Sequence, residues 1–295
     1  MRNAFIDELV ALATVRPNIC LVVGDLGYSV VEPFADRFPE RFLNAGVAEQ
    51  NMTSLAAGMA SEGYHVFTYS IANFPTFRCA EQLRNDVDYH RLPVTVVAVG
   101  GGLAYGGLGY SHHAVQDYAL VRSMPNMLIA SPGDPMEVRA CLRYLVANPQ
   151  PSYLRLGKAG EPSFHRAPPL VSPGEWLPVL PVPSGSSSCV LTTGATLELA
   201  MQWQMERDDY RACGVYSLPL WSMATKSMQL NQVRNFDRIT TLEDHLTDGG
   251  FGSWLMESLP RGENLRDRLE MKALDPRVCG MVGTQRYLNS VAGLS

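Results

Sequence analysis

No run of apolar residues in this 295-residue chain approaches the roughly 18 that a membrane-spanning helix needs, so no contact with a membrane is expected. There is no basic excess either. The 24 Lys and Arg stand against 29 Asp and Glu, a net charge of −5, which argues against a nucleic-acid binder. Cysteine is sparse and scattered: Cys20, Cys79, Cys141, Cys189, Cys213 and Cys279 contain no CxxC pair. Neither a zinc site nor a redox pair is signalled, no metal site is expected, and buried reduced thiols are the reading. The phosphate-cradling patterns GxGxxG and GxxxxGK[ST] are missing as well. The opening residues MRNAFIDE have the charge pattern of an amphipathic helix rather than of a signal peptide, which points to a cytoplasmic protein.

What is present is the material of a folded α/β chain. Hydrophobic residues make up 46% and charged residues 18%, and the length suits two domains. Strand-like runs at 18–24, 65–70, 94–99, 127–130 and 153–156 alternate with helical patterns at 48–63, 74–90 and 135–146. The run VTVVAV at 94–99 is β-branched and apolar throughout, as a central parallel strand requires. Residues 159–187 are rich in proline and end in a Gly/Ser stretch, which reads as a linker between a domain at 1–158 and another at 188–295. The second half restarts the alternation, with strands predicted at 189–193, 212–218 and 238–243 and helices at 195–207 and from 249 to about 259. The expected fold class is α/β, with two doubly wound, mostly parallel sheets.

In such sheets ligands bind beyond the carboxyl ends of the strands. Four loops qualify: 24–29, 44–51, 70–78 and the glycine-rich stretch ending at 109–113. Taken singly, each has an ordinary reading. Glu49 at a helix start can complement the helix dipole. His112 and His113 can be loop histidines, and Phe74 and Phe77 can be core. Glu243, Asp244 and His245 read as hydrogen-bonded groups at a strand end, and GGFGS at 249–253 as a tight strand-to-helix turn.

Their combination says more. In order, the chain carries GDLGYS at 24–29, FPERFLNAGVAEQNM at 38–52, NFPTFRCAEQLR at 73–84, GYSHHAVQD at 109–117, MPNMLIASPGD at 124–134 and LEDHLTDGGFGS at 242–253. This series resembles the pyrimidine-binding and C-terminal domains of transketolase, a thiamine-diphosphate enzyme. The deoxyxylulose-phosphate synthases share most of it, and the beta subunits of 2-oxoacid dehydrogenases share it more distantly.

The resemblance implies roles residue by residue. Glu49 would hold the N1′ nitrogen of the thiamine aminopyrimidine, sharing a proton with it so that the neighbouring nitrogen can act as a base. Phe74 would stack on the pyrimidine, with Asp25, Ile71 and Phe77 close to the cofactor. His112 would sit beside the reacting carbons, binding a substrate oxygen or moving a proton. Ser29, His113, Arg155 and Lys158 would complete the substrate contacts, His113 standing where glutamine is usual.

Two departures stand out. Gly100 and Leu108 replace a histidine and an aspartate of the family, and Lys158 falls near the position of a phosphate-binding arginine. These changes suggest a substrate that is unphosphorylated or carries its phosphate elsewhere. The chain also has no GDG, the family's signature for binding the diphosphate through Mg²⁺. The resemblance therefore implies a separate N-terminal transketolase-like partner subunit bearing that site, with two chains of each kind forming an α2β2 assembly. The expected activity is transfer of a two-carbon ketol or acyl unit from a ketose or 2-oxoacid donor to an aldehyde acceptor, in a specialised sugar or secondary-metabolite pathway. Two alternatives stay open: a deoxyxylulose-phosphate-synthase-like or 2-oxoacid-decarboxylating ligase subunit, and a non-catalytic assembly or regulatory subunit.

Overall fold

The structure, a computed structural model, describes residues 1–261 and 264–294. Twelve strands among them form two sheets. They are β1 (Ile19–Val23), β2 (Phe42–Asn44), β3 (His65–Ile71), β4 (Val94–Val99), β5 (Leu128–Ala130), β6 (Ser152–Leu156), β7 (Leu177–Leu180), β8 (Ser188–Thr192), β9 (Gly214–Ser217), β10 (Leu220–Trp221), β11 (Arg238–Leu246) and β12 (Leu269–Leu274). The first sheet runs β10-β5-β6-β4-β3-β1-β2 and the second β12-β11-β8-β9-β7. All pairings are parallel except β10 with β5 and β7 with β9.

The apolar runs explain the layering. β1 and β4 are buried at every position, which a strand can be only with helices on both faces. On one face lie the helices Arg2–Val15 and Pro135–Ala147, which contribute Phe5, Leu9, Val138 and Leu142. On the other lies Glu49–Ser61, whose Met52, Ala56, Ala57 and Ala60 let it approach closely. This second core runs on without a break into the other sheet through Tyr118, Trp221, Phe251 and Trp254. The helix Pro135–Ala147 is held by a reciprocal cap: the Glu137 N–H donates to Asp134 Oδ1 and the Gly133 N–H to Glu137 Oε2, both at 2.7 Å. His165 Nδ1 lies 3.0 Å from the other Asp134 oxygen. These three side chains bring donor atoms within 4.8 Å of one another; the cap uses Asp134 Oδ1 and Glu137 Oε2, while the buried Glu137 Oε1 has no hydrogen-bond partner among the described residues.

Three expectations need correction. The single helix read at 74–90 is broken into Phe74–Phe77, Ala80–Gln82 and a π-helical turn at Leu83–Asp88. The backbone leaves helical geometry at Cys79 (φ −108°, ψ 13°). The stretch read as a linker contains β7, an edge strand of the second sheet, where Pro178 is tolerated because an edge leaves one side of the ladder unpaired. The third concerns Arg155, expected to touch substrate. It is 3% exposed on β6 and has its donors committed. Nε donates to Asp117 Oδ2 at 2.7 Å, Nη1 to Asp244 Oδ1 at 2.5 Å and Nη2 to the Ala114 carbonyl at 2.7 Å. Its guanidinium carbon lies 4.4 Å from the Tyr118 ring centroid. Because Asp244 belongs to β11, Arg155 is an ionic rivet between the two sheets rather than a substrate contact.

The glycine-rich loop serves the same joint. A Cβ on Gly101 would collide with the Arg155 guanidinium, and one on Gly102 (φ +63°) with the Asp244 carboxylate. The glycines admit the rivet, so they need no phosphate to explain them. Glu243 accepts from the N–H groups of Phe251 (2.6 Å) and Gly252 (2.8 Å) and so caps the helix Phe251–Glu257. His245 stacks on Tyr118 with centroids 5.2 Å apart.

One buried histidine gives the fold an acid sensitivity. His65 is stacked on Phe67 at 4.6 Å, its Nε2 lies 2.9 Å from Thr95 Oγ1, and burial holds its pKa down to about 4. A histidine with a depressed folded-state pKa stabilises fully above its unfolded value and loses that contribution as pH falls through the folded one. Between pH 6.5 and 4 the loss reaches up to about 3 kcal/mol. His65→Gln is expected to flatten the fall of melting temperature over that window relative to the parent chain. Identical slopes would contradict this account.

Candidate active site

The strand ends of the first sheet build the site. Gly24 follows β1, and a Cβ there would lie 3.7 Å from Glu49 Cγ and 3.6 Å from Ser70 Oγ. Three elements thus meet around this residue at ordinary van der Waals distance. The loop after it holds Asp25 (φ 54°) and Ser29 (φ 64°) in left-handed conformations that cost a non-glycine residue energy. Side chains stabilise both turns. Asn44 Oδ1 accepts from the Asp25 N–H at 3.1 Å, Asn44 Nδ2 donates to Asp25 Oδ1 at 2.9 Å, and Glu32 Oε1 accepts from the Ser29 N–H at 2.7 Å. Asp25 and Ser29 are both exposed.

Glu49 is the first residue of the helix Glu49–Ser61 and is only 4% exposed. Phe74 opens the turn after β3, and its ring meets His112 edge-on at 5.2 Å. The loop carrying His112 is tied to that turn by Asn73, whose Nδ2 donates to the Ser111 and His113 carbonyls at 3.0 Å each. Between Glu49 and Phe74 stands Arg78. Its Nη1 is 3.1 Å from each Glu49 carboxylate oxygen, and its guanidinium carbon is 4.1 Å from the Phe74 centroid. Burial, together with the positive charge of Arg78 and the nearby His113, lowers the pKa of His112 and so favours its neutral imidazole. Its Nδ1 is 3.0 Å from Ser111 Oγ.

Beyond His112 the contacts continue to Tyr105, 6.3 Å away, and on to Lys158, whose Nζ lies 5.1 Å from the Tyr105 centroid. Tyr105 also gives a physical reason for Gly100. A Cβ there would collide with its ring, so the tyrosine takes the room a side chain at 100 would need. Of the residues expected from the sequence, Glu49, Phe74, His112 and Lys158 are therefore joined in one succession of contacts through Arg78 and Tyr105. Asp25 and Ser29 lie on the adjoining loop. Ile71 ends β3 just before the Phe74 turn, and Phe77 points to solvent at 44% exposure. His113 is buried, with Nε2 3.4 Å from the Gly106 carbonyl. Sequence reasoning missed Asn73, Arg78 and Tyr105. A charged residue inside the otherwise uncharged NFPTFRC stretch was the available signal for Arg78.

Fold and site define an α/β protein with two mostly parallel sheets that presents a buried carboxylate, an aromatic face and a histidine at adjoining strand ends. Residues 1–160 match the family described as transketolase, pyrimidine binding domain. The chain is 31% identical to an apulose-4-phosphate transketolase subunit of Phocaeicola vulgatus, over 88% of this chain and 83% of that protein. It is 31% identical to a putative transketolase C-terminal section of Methanocaldococcus jannaschii, over 87% and 81%. The 1-deoxy-D-xylulose-5-phosphate synthase of Listeria welshimeri is 30% identical over 85% of this chain, which spans 40% of that longer protein. Among solved structures, one described as a split gene transketolase, inactive beta4 tetramer, superimposes with a TM-score of 0.85 at 28% identity, covering 100% of this chain and 93% of that one. The chain belongs to the transketolase family.

Family membership implies use of thiamine diphosphate, and the site can be tested against that group. Arg78 supplies the test: a flat, N–H-bearing cation already stacks on Phe74 while donating to Glu49. An aminopyrimidine is likewise flat and, protonated at N1′, presents an N–H. The residues present fit it. Among the described residues, no helix is long and apolar enough to cross a membrane.

Proposed function

We propose that this chain is the pyrimidine-side subunit of a cytoplasmic, two-chain, thiamine-diphosphate-dependent transferase. It would move a two-carbon ketol unit from a ketose or 2-oxoacid donor to an aldehyde acceptor. The observation that carries the reading is the pairing of Glu49 and Phe74, a buried carboxylate and an aromatic face joined through one planar cation. Thiamine diphosphate supplies the carbanion chemistry when bound. Glu49 bonds the pyrimidine N1′ and holds the proton there. Phe74 orients the ring by stacking. His112, kept neutral and steadied by Ser111, binds a substrate oxygen or carries a proton at Nε2. Tyr105 and Lys158 lie at the far end of this succession, where an anionic or hydroxylated substrate tail would meet a positive charge. Asp25, Ile71 and Phe77 belong to the cofactor side of this reading, and Ser29 and His113 to the substrate side.

The diphosphate and its Mg²⁺ are assigned to a separate N-terminal partner subunit, in an α2β2 assembly. Support comes from the broad coverage of two relatives, one described as a transketolase subunit and the other as a transketolase C-terminal section. Mixing tests this. The chain alone is expected to show no thiamine-dependent turnover, and adding a GDG-bearing partner subunit to restore it. Full activity without a partner would refute the assignment. The similarity to a deoxyxylulose-phosphate synthase favours one second reading, a decarboxylating ligase. A donor screen separates the two: turnover with hydroxypyruvate or a ketose supports transketolase chemistry, and turnover with pyruvate alone supports the ligase.

A further inference from the structure

We propose that Arg78 is a placeholder latch: its guanidinium fills the seat of the aminopyrimidine between Glu49 and Phe74 and has to swing out before the cofactor can bind. This rests on the reading of Glu49 and Phe74 as that seat. Three observations carry it. The guanidinium makes both contacts the pyrimidine would make, a hydrogen-bonded approach to both Glu49 oxygens at 3.1 Å and a stacked approach to Phe74 at 4.1 Å. A carboxylate can accept from two donors, but the face of Phe74 that the guanidinium covers cannot also carry a second flat group. The Arg78 side chain is 49% exposed, so its outer side faces solvent and rotation about its own bonds can carry it away from the site.

The latch has a purpose in the free subunit. Glu49 is 4% exposed, and a buried carboxylate without a partner is costly, so the cation compensates it until another N–H donor arrives. The stacked guanidinium also covers one face of the Phe74 ring. Cofactor binding is then an exchange of one flat donor for another, and its net affinity is reduced by whatever holds Arg78 in place. Departure of Arg78 would also take a positive charge away from His112, raising the proton affinity of that imidazole as the site fills.

The test is equilibrium binding of thiamine diphosphate with Mg²⁺ to the assembled pair, followed by tryptophan fluorescence or calorimetry, together with the melting temperature of the free subunit. Arg78→Ala is expected to bind the cofactor about tenfold more tightly than the parent, about 1.4 kcal/mol, while the free subunit melts lower. Arg78→Lys keeps the charge but cannot stack as a plane, and should fall between the two. Unchanged or weakened binding in Arg78→Ala would overturn the latch, weakened binding marking Arg78 as a direct ligand. Glu49→Gln serves as the separate control. If it leaves cofactor affinity and turnover untouched, the seat itself is misassigned, whatever Arg78 does.

Discussion

Turnover by the assembled pair is expected to fall at least about a hundredfold in Glu49→Gln when measured at saturating cofactor. Glutamine has nearly the same shape and can still accept or donate one hydrogen bond, so the helix Glu49–Ser61 keeps its start and the seat keeps its outline. What it cannot do is share a proton with a ring nitrogen. The loss should therefore appear in kcat and persist at high cofactor concentration, which separates a chemical defect from weak binding. Melting temperature should move little, because the partner cation Arg78 is half exposed and can be solvated. Unchanged kcat would remove Glu49 from the chemistry and revive the reading of a non-catalytic assembly subunit.

Arg155→Met is expected to be strongly destabilising. Methionine preserves much of the volume but removes the cation paired with the buried carboxylates of Asp117 and Asp244, although Asp117 keeps the Tyr153 hydroxyl and the Ala114 carbonyl keeps the Gly102 N–H. Breaking a buried ion pair from one side costs about 3–5 kcal/mol. For a chain of this size that corresponds to a drop in melting temperature on the order of 10 °C. The measurement also decides between two roles. A substrate contact would raise KM with the melting temperature intact, whereas a rivet lowers the melting temperature in the isolated chain, with no substrate present.

Much of the architecture was legible because the long parallel strands announce themselves. VTVVAV needs burial on both faces, and such runs occur only where helices cover a sheet. The elements that escaped were those too short or too mixed for a period to show. β2 has three residues and β10 two, and β7 hides among prolines whose rings suit an edge strand as well as a linker. At the site, residues proposed to act on a ligand were easier to single out than residues that act on one another. Glu49, Phe74 and His112 follow from the resemblance, since a family's motif preserves chemistry. Arg78, Asn73 and Tyr105 matter through contacts between segments distant in the chain, such as Asn73 with Ser111 and Arg78 with Glu49. Arg155 was misplaced for the same reason. Nothing in its neighbourhood of sequence says that Asp244, 89 residues away, will meet it.

The short strand β10 has a practical consequence for anyone shuffling this protein. It lies after residue 188, yet Leu220 pairs with Ala130 and Trp221 with Ile129 at the border of the first sheet. A chimera spliced within residues 159–187, where composition invites a cut, would leave Leu128, Ile129 and Ala130 with a bare apolar edge. Such an edge templates aggregation. The genetic module and the spatial module therefore have different borders, and a transplantable first half must bring Leu220 and Trp221 with it.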